Sequence, residues 1–247
     1  MTRATDRMIQ YWDSPEMIAD HEQQLSGLEA ERKAAAWRAE LERVLPPPPA
    51  RVLDLGCGTG WVSLLLAGMG YTVRGVDLGE NRLALARARA RERNVEVTFE
   101  KGDAADPPGE PASVHAITSR CVFWTLEDPA AALRSARRLL RPGGTLVVID
   151  GDWFRNGWDP DQYREYAWYQ TWVECYADLV HGLPLFDLKG PQDVMRFVVE
   201  AGFTDVKAGR LEIVERLPEE DAPAEGRFFI VTASNPGGEG SASSVVP

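Results

Sequence analysis

Along residues 50–150 the apolar positions keep two rhythms: short compact runs, and longer stretches in which apolar residues return every three or four positions. The first suits a strand buried on both faces, the second a helix with one face on a core. In order, "ARVLDLG" predicts a strand, "WVSLLLAGMG" a helix with Gly70 beyond its end, and "YTVRGVDL" a second strand. "ENRLALARARARERN" follows as helix, "VEVTFEKGD" and "SVHAITSRCVF" as strands, "DPAAALRSARRLL" as helix and "TLVVIDGDW" as strand. The helix from Pro129 is well punctuated, with Asp128 at the cap position and "RPGG" stopping it before Thr145. Strands joined by crossover helices imply a parallel sheet.

The flanks read differently. Asp20 to Leu45 predicts one helix, with Leu25, Leu28, Trp37, Leu41 and Val44 at mostly helical intervals and the prolines Pro46–Pro49 ending it. After Asp150 the chain becomes dense in aromatic residues, and Asp159 with Pro160 predicts a helix running to about His181. "GPQDVMRFVVEAG" then predicts a helix, and "FTDVKAGRL" and "GRFFIVTAS" the last two strands. The expected organisation is a helical arm (1–47), one α/β domain (48–235) with an insertion at about 153–188, and a disordered Gly/Ser-rich tail (236–247).

Composition narrows the partners. A chain of 247 residues, 44% hydrophobic, can bury one full core. A net charge of −11 opposes a polyphosphate backbone, so no nucleic-acid partner is expected. The arginines of "RLALARARARER", from Arg82 to Arg93, fall on a helical pattern among alanines and read as a solvated face. Cys57, Cys121 and Cys175 are too few and scattered for a disulfide framework or zinc knuckle, which fits a reducing compartment. With no secretory pattern at the start and no apolar run near about 18 residues, a cytoplasmic, unanchored protein is expected.

"VLDLGCGTGW" carries the chemistry. Glycines at 56, 58 and 60 between a strand and a helix let the backbone approach a nucleotide-like ligand closely. The dinucleotide fingerprint asks for glycine at the first, third and sixth places, and the sixth here is Trp61. Asp77 ends the second strand about twenty residues further on, where a carboxylate accepts from both ribose hydroxyls. Asp103 ends the third strand, placed to accept from an exocyclic amine, with the Ala104 N–H available for a ring nitrogen. Together these outline an adenosine site.

"VLDLGCGTG", "VRGVDL", "KGDA" and "LLRPGGTLVVID" stand in the order of the class I S-adenosylmethionine-dependent methyltransferases, which the chain resembles over about residues 48–152. The resemblance implies a Rossmann-like, doubly wound sheet of seven strands with the last antiparallel, and S-adenosyl-L-methionine as cofactor, leaving S-adenosyl-L-homocysteine. It implies that Gly56, Cys57 and Gly58 face the cofactor by backbone, that Asp77 holds the ribose, and that Leu78 covers the adenine. Gly102, Asp103 and Ala104 would read the adenine edge, Asp54 would support the turn and touch the amino group of the methionine moiety, and Arg120 would meet the methionine part. Tyr11 and Trp12 resemble the aromatic cap that small-molecule members fold over the cofactor.

The chemistry so implied is in-line displacement at a sulfonium methyl carbon, in which the protein aligns a nucleophile and excludes water. "ITSRCVF" offers no carboxylate where metal-dependent relatives carry a ligand, so no metal is expected; Asp150 and Asp152 remain as an acidic pair. The acceptor is expected to be a small, aromatic or specialised metabolite, methylated on nitrogen, oxygen or electron-rich carbon. Trp12, Trp153, Tyr169 and Trp172 would line its site, whose ring faces could equally hold a cationic amine. His181 is the candidate base, since neutral imidazole takes a proton near pH 7; His115 reads as structural, and His21 reaches the site only if the arm closes. Two alternatives stand beside this reading, a non-methylating module that holds the same ligand and a nicotinamide-dependent oxidoreductase.

Overall fold

The computed structural model describes residues 4–28, 31–153, 159–211 and 228–236. Seven strands, β1 (Arg51–Leu55), β2 (Thr72–Asp77), β3 (Val97–Lys101), β4 (Val114–Arg120), β5 (Leu140–Gly151), β6 (Thr204–Arg210) and β7 (Phe228–Ser234), form one sheet. Their order is β3-β2-β1-β4-β5-β7-β6, and β7 runs antiparallel to β5 and β6 while the first five are parallel. This is the doubly wound sheet expected from the sequence. The order reverses between β1 and β4, which opens a crevice at their carboxyl ends.

The helices are α1 (Ala4–Trp12), α2 (Pro15–Leu28), α3 (Glu31–Val44), α4 (Trp61–Gly68), α5 (Glu80–Glu92), α6 (Pro129–Leu139), α7 (Tyr169–Cys175) and α8 (Pro191–Glu200). Neighbouring residues of β1 divide between two cores, as the alternation of a strand requires. Val52 packs with Trp37 and Leu41 of α3 and Trp61, Val62 and Leu66 of α4. Leu53 and Leu55 pack with α6 and α8 on the other face. Gly60 turns the chain into α4 at φ 85°, and a Cβ there would lie 2.9 Å from Ala86 Cβ and from the Phe99 ring.

Four expectations need correction. The arm is helical from well before Asp20, through α1 and the start of α2; between Asp20 and Val44 the described residues are helical, and residues 29–30 and the side chains of Leu25 and Leu28 lie outside the described ones. The helix expected from Asp159 to His181 is broken: Asp159 does cap, accepting from Asp161 N–H, but only a 3-10 turn follows before α7. α7 keeps seven residues because Trp172 and Tyr176 are pulled into a cluster with Tyr11 and Trp168. "RPGG" does more than stop α6: the strand already begins at Leu140, paired to Val114, and the register shifts before Ala116 meets Thr145. Finally, the arginine-rich face of α5 is not all solvated, since Arg82 is only 6% exposed. The tail beyond residue 236 lies outside the described residues.

Candidate functional site

The glycine turn is fastened to the end of β2. Gly56 N–H and Cys57 N–H both donate to Val76 O, at 2.8 and 3.0 Å. Gly58 N–H donates to Asp77 Oδ2 (2.8 Å), and Gly79 N–H donates to Asp77 Oδ1 (2.8 Å). Each Asp77 oxygen thus keeps acceptor capacity beyond one backbone bond. Gly56 and Gly58 sit at φ 67° and 53°, and a Cβ on Gly56 would collide with the Val122 side chain.

Asp54 is buried beneath this turn, accepting from Ser63 Oγ (2.6 Å) and Thr118 Oγ1 (3.0 Å). Burial pushes its pKa up to about 6 against those two bonds. Burial also pushes the Cys57 thiol up, which makes it inert packing rather than a nucleophile. Asp103 accepts from Ala105 N–H (2.8 Å) at the end of β3, with Ala104 buried beside it and Leu78 half-buried. Gly102 N–H donates to Asp77 O (3.0 Å), so the β2 and β3 ends are tied together.

The arm closes over the turn. Asp13, between α1 and α2, accepts from the backbone N–H groups of Asn81 (3.1 Å) and Arg82 (3.0 Å). It thereby caps α5, whose own cap residue Gly79 has no side chain to do so. Arg82 Nε donates to Trp12 O (2.6 Å), its guanidinium lies 5.5 Å from the Trp12 ring centre, and Nη1 stands 3.4 Å from His21 Nδ1. Burial and the charges of Arg82, Arg120 and Arg89 hold His21 down to about 3, so it is neutral. Arg89 pairs with Glu22 and donates to Thr59 Oγ1 (3.2 Å). Cys57 to Gly60 are all buried as a result.

The Trp12 ring continues into a roof, 5.7 Å from Trp124, 6.1 Å from Tyr176 and 4.9 Å from Tyr11. Trp124 N–H donates to Asp150 Oδ2 (3.2 Å), and the Trp153 indole donates to Asp150 Oδ1 (2.9 Å), so this roof stands over the carboxyl ends of β4 and β5. Asp150 also accepts from Gly151 N–H (2.9 Å), yet full burial pushes its pKa up to about 7. Arg120 is boxed by Trp37, Trp61 and Phe228, with ring centres at 5.4, 5.4 and 5.6 Å. Trp61, where a dinucleotide site would need glycine, is one wall of that box.

Of the residues singled out in the sequence, the structure brings together Tyr11, Trp12, the glycine turn, Asp54, Asp77 and Leu78. Trp153 joins through Asp150 and Trp124, and Trp172 packs in the roof cluster. Tyr169 lies at its outer edge, its hydroxyl 3.5 Å from Asp161. His181 stands on an exposed turn beside a surface cavity shared with Lys189, Asp193 and Arg196. His115 accepts from Arg51 N–H on the opposite end of β4. No group of acidic, Cys and His side chains suited to a metal occurs among the described residues. The sequence reading missed Asp13 and Arg82; the only signal for Asp13 was an acidic residue next to the aromatic pair.

Residues 53–148 match the family described as a methyltransferase domain. Over that segment the chain is similar to the class I S-adenosylmethionine-dependent methyltransferases. That domain is similar to the ubiquinone biosynthesis O-methyltransferase of Xanthomonas campestris pv. campestris, 38% identical over 41% of this chain and 43% of the relative. A demethylmenaquinone methyltransferase of Thermus thermophilus is 37% identical over 46% of this chain and 53% of the relative. The matches thus span about half the length of these curated relatives. Around the methyltransferase domain the fold is similar to phosphoethanolamine N-methyltransferase 2 of Haemonchus contortus solved with S-adenosyl-L-methionine (TM-score 0.66, 20% identity, 96% of this chain, 60% of that one). It is similar as well to the [4+2]-cyclase SpnF (TM-score 0.60, 20% identity, 83% and 82%). S-adenosyl-L-methionine is the cofactor of this domain class, and the bare, positive-φ turn beside a carboxylate with spare lone pairs fits its adenosyl half.

Proposed function

We propose that this protein transfers the methyl group of S-adenosyl-L-methionine to a nitrogen, oxygen or electron-rich carbon of a small aromatic metabolite. The observation that carries the reading is the glycine turn bound to Asp77 directly beneath an aromatic roof supplied by the arm and α7. In this reading Asp77 takes the ribose hydroxyls, Leu78 and the Gly102–Ala104 stretch with Asp103 take the adenine, and Arg120 faces the methionine part. Asp54 holds the turn through Ser63 and Thr118 rather than touching the ligand. The cofactor supplies an electrophilic methyl on a sulfonium. The chain's own work is to orient the acceptor under Trp12, Trp124 and Trp153 and to exclude water, which the closed arm does. His21, neutral on α2 of the arm, and Asp150, at the β5 end, are titratable groups beside the site; exposed His181 takes no part.

The quinone-pathway relatives support an aromatic acceptor, and the cyclase with the same fold shows why activity needs its own test. Isotopically labelled methyl donor, incubated with the protein and a panel of phenols and amines, is expected to label an acceptor detected by mass spectrometry. Calorimetry is expected to give Asp77→Ala at least about tenfold weaker cofactor binding through lost charge-assisted hydrogen bonds. Unchanged affinity in that variant would remove the ribose assignment.

A further inference from the structure

Building on the methyl-transfer reading, we infer that the acceptor is an aromatic molecule presenting an anionic oxygen, a carboxylate or phenolate, to buried donors of the roof, and not an amine.

The roof carries buried donors without an acceptor among the described residues: Trp168 Nε1, and the Tyr176 hydroxyl, whose oxygen is approached by the Trp12 indole N–H while its own proton has no acceptor. Tyr176 is 1% exposed and Trp168 9%, so water does not serve them. Desolvating a donor without a partner is costly, and such groups inside a fold point to something that completes them. An indole N–H can only donate. Burial drives the Tyr176 hydroxyl far above its ordinary range against the opposing approach of the Trp12 indole, so it keeps its proton and is left to donate. Arg82 Nη2, beside the Trp12 ring, is a further buried donor without a partner and carries charge.

The neighbouring acids are already engaged. Both oxygens of Asp13 accept backbone N–H groups, Asp150 accepts three, and the spare lone pairs of Asp77 are taken by the ribose in the methyl-transfer reading. What the roof leaves unmet is therefore a demand for acceptor oxygen. An ammonium would bring more donors to a place that has too many, next to Arg82 and the cationic sulfur of the methyl donor. An oxyanion is attracted by both charges and satisfies the donors.

Two measurements test this. The first needs no ligand: a hydroxyl without a partner destabilises the empty protein, so Tyr176→Phe is expected to raise its melting temperature by about 2–4 °C. A fall would mean the hydroxyl serves the fold and would overturn the inference. The second is calorimetry on the protein saturated with S-adenosyl-L-homocysteine, using 3,4-dihydroxybenzoate, its neutral amide and dopamine, which share a ring and differ in charge. The benzoate is expected to bind at least about tenfold tighter than dopamine, the amide between them, and Tyr176→Phe to narrow that gap. Equal or tighter dopamine binding, a gap unchanged in the variant, or no binding of any of the three overturns the inference. Failure of the methyl-transfer reading looks different: S-adenosyl-L-homocysteine would not bind, or it would bind while labelled methyl donor labels no acceptor of the panel.

Discussion

At the scale of single residues, Asp150 sets burial against hydrogen bonding. Three N–H groups favour its charged form, but removal from water wins and pushes its pKa up to about 7. In an unfolded chain the same carboxyl ionises near about 4. Between those values the folded protein holds a proton the unfolded chain has lost, so this residue's stability contribution falls as pH rises from about 4 to about 7. Denaturant unfolding across that range is expected to show a decline of a few kcal/mol relative to Asp150→Asn, in which that slope is missing; parallel profiles would contradict the assignment. Residues of this kind were unevenly legible. Gly56, Gly58, Gly60 and Asp77 announced themselves because backbone sterics and strand-end placement are local facts. Arg82 was misjudged because a guanidinium on a helix reads as solvated until another element covers it, and that element lies about seventy positions earlier in the chain.

Among the elements, the arm behaves as a strap fastened at defined points. Asp13 holds the first turn of α5, Arg89 pairs with Glu22, Arg7 pairs with Asp178 (2.6 Å) beyond α7, and Thr5 donates to Glu127 (2.7 Å). The outer pairs are exposed and contribute little, whereas a cap is worth about 1 kcal/mol. Asp13→Ala is therefore expected to speed release of S-adenosyl-L-homocysteine roughly fivefold in stopped-flow tryptophan fluorescence, with the sheet intact by circular dichroism. An unchanged release rate would show that the strap is held elsewhere. The strands and α4 to α6 were predictable because their periodicity and punctuation agree with their packing. The broken helix around α7 was not, because ring-on-ring contacts with Tyr11 and Trp12 outweigh the continuity that Asp159 begins.

For the molecule as a whole, the sheet order follows from βα alternation, but the closed site depends on contacts between distant segments. The arm reaches α5, and Trp124 reaches Asp150 across the β4–β5 edge. Periodicity cannot report either meeting, which is why the cofactor side of the site was readable and its roof only in outline. The cap that Asp13 lends to α5 has one more consequence. The Asn81 and Arg82 amides stand in the first turn, where a helix offers them no carbonyl, so they are shielded from solvent only while another segment's carboxylate rests on them. Their deuterium uptake should keep time with excursions of the strap and not with melting of α5, running faster than that of Leu83 one position on. Two peptide groups would then act as a built-in stopwatch for how often the chamber admits its contents, legible by magnetic resonance with no added label on the ligand.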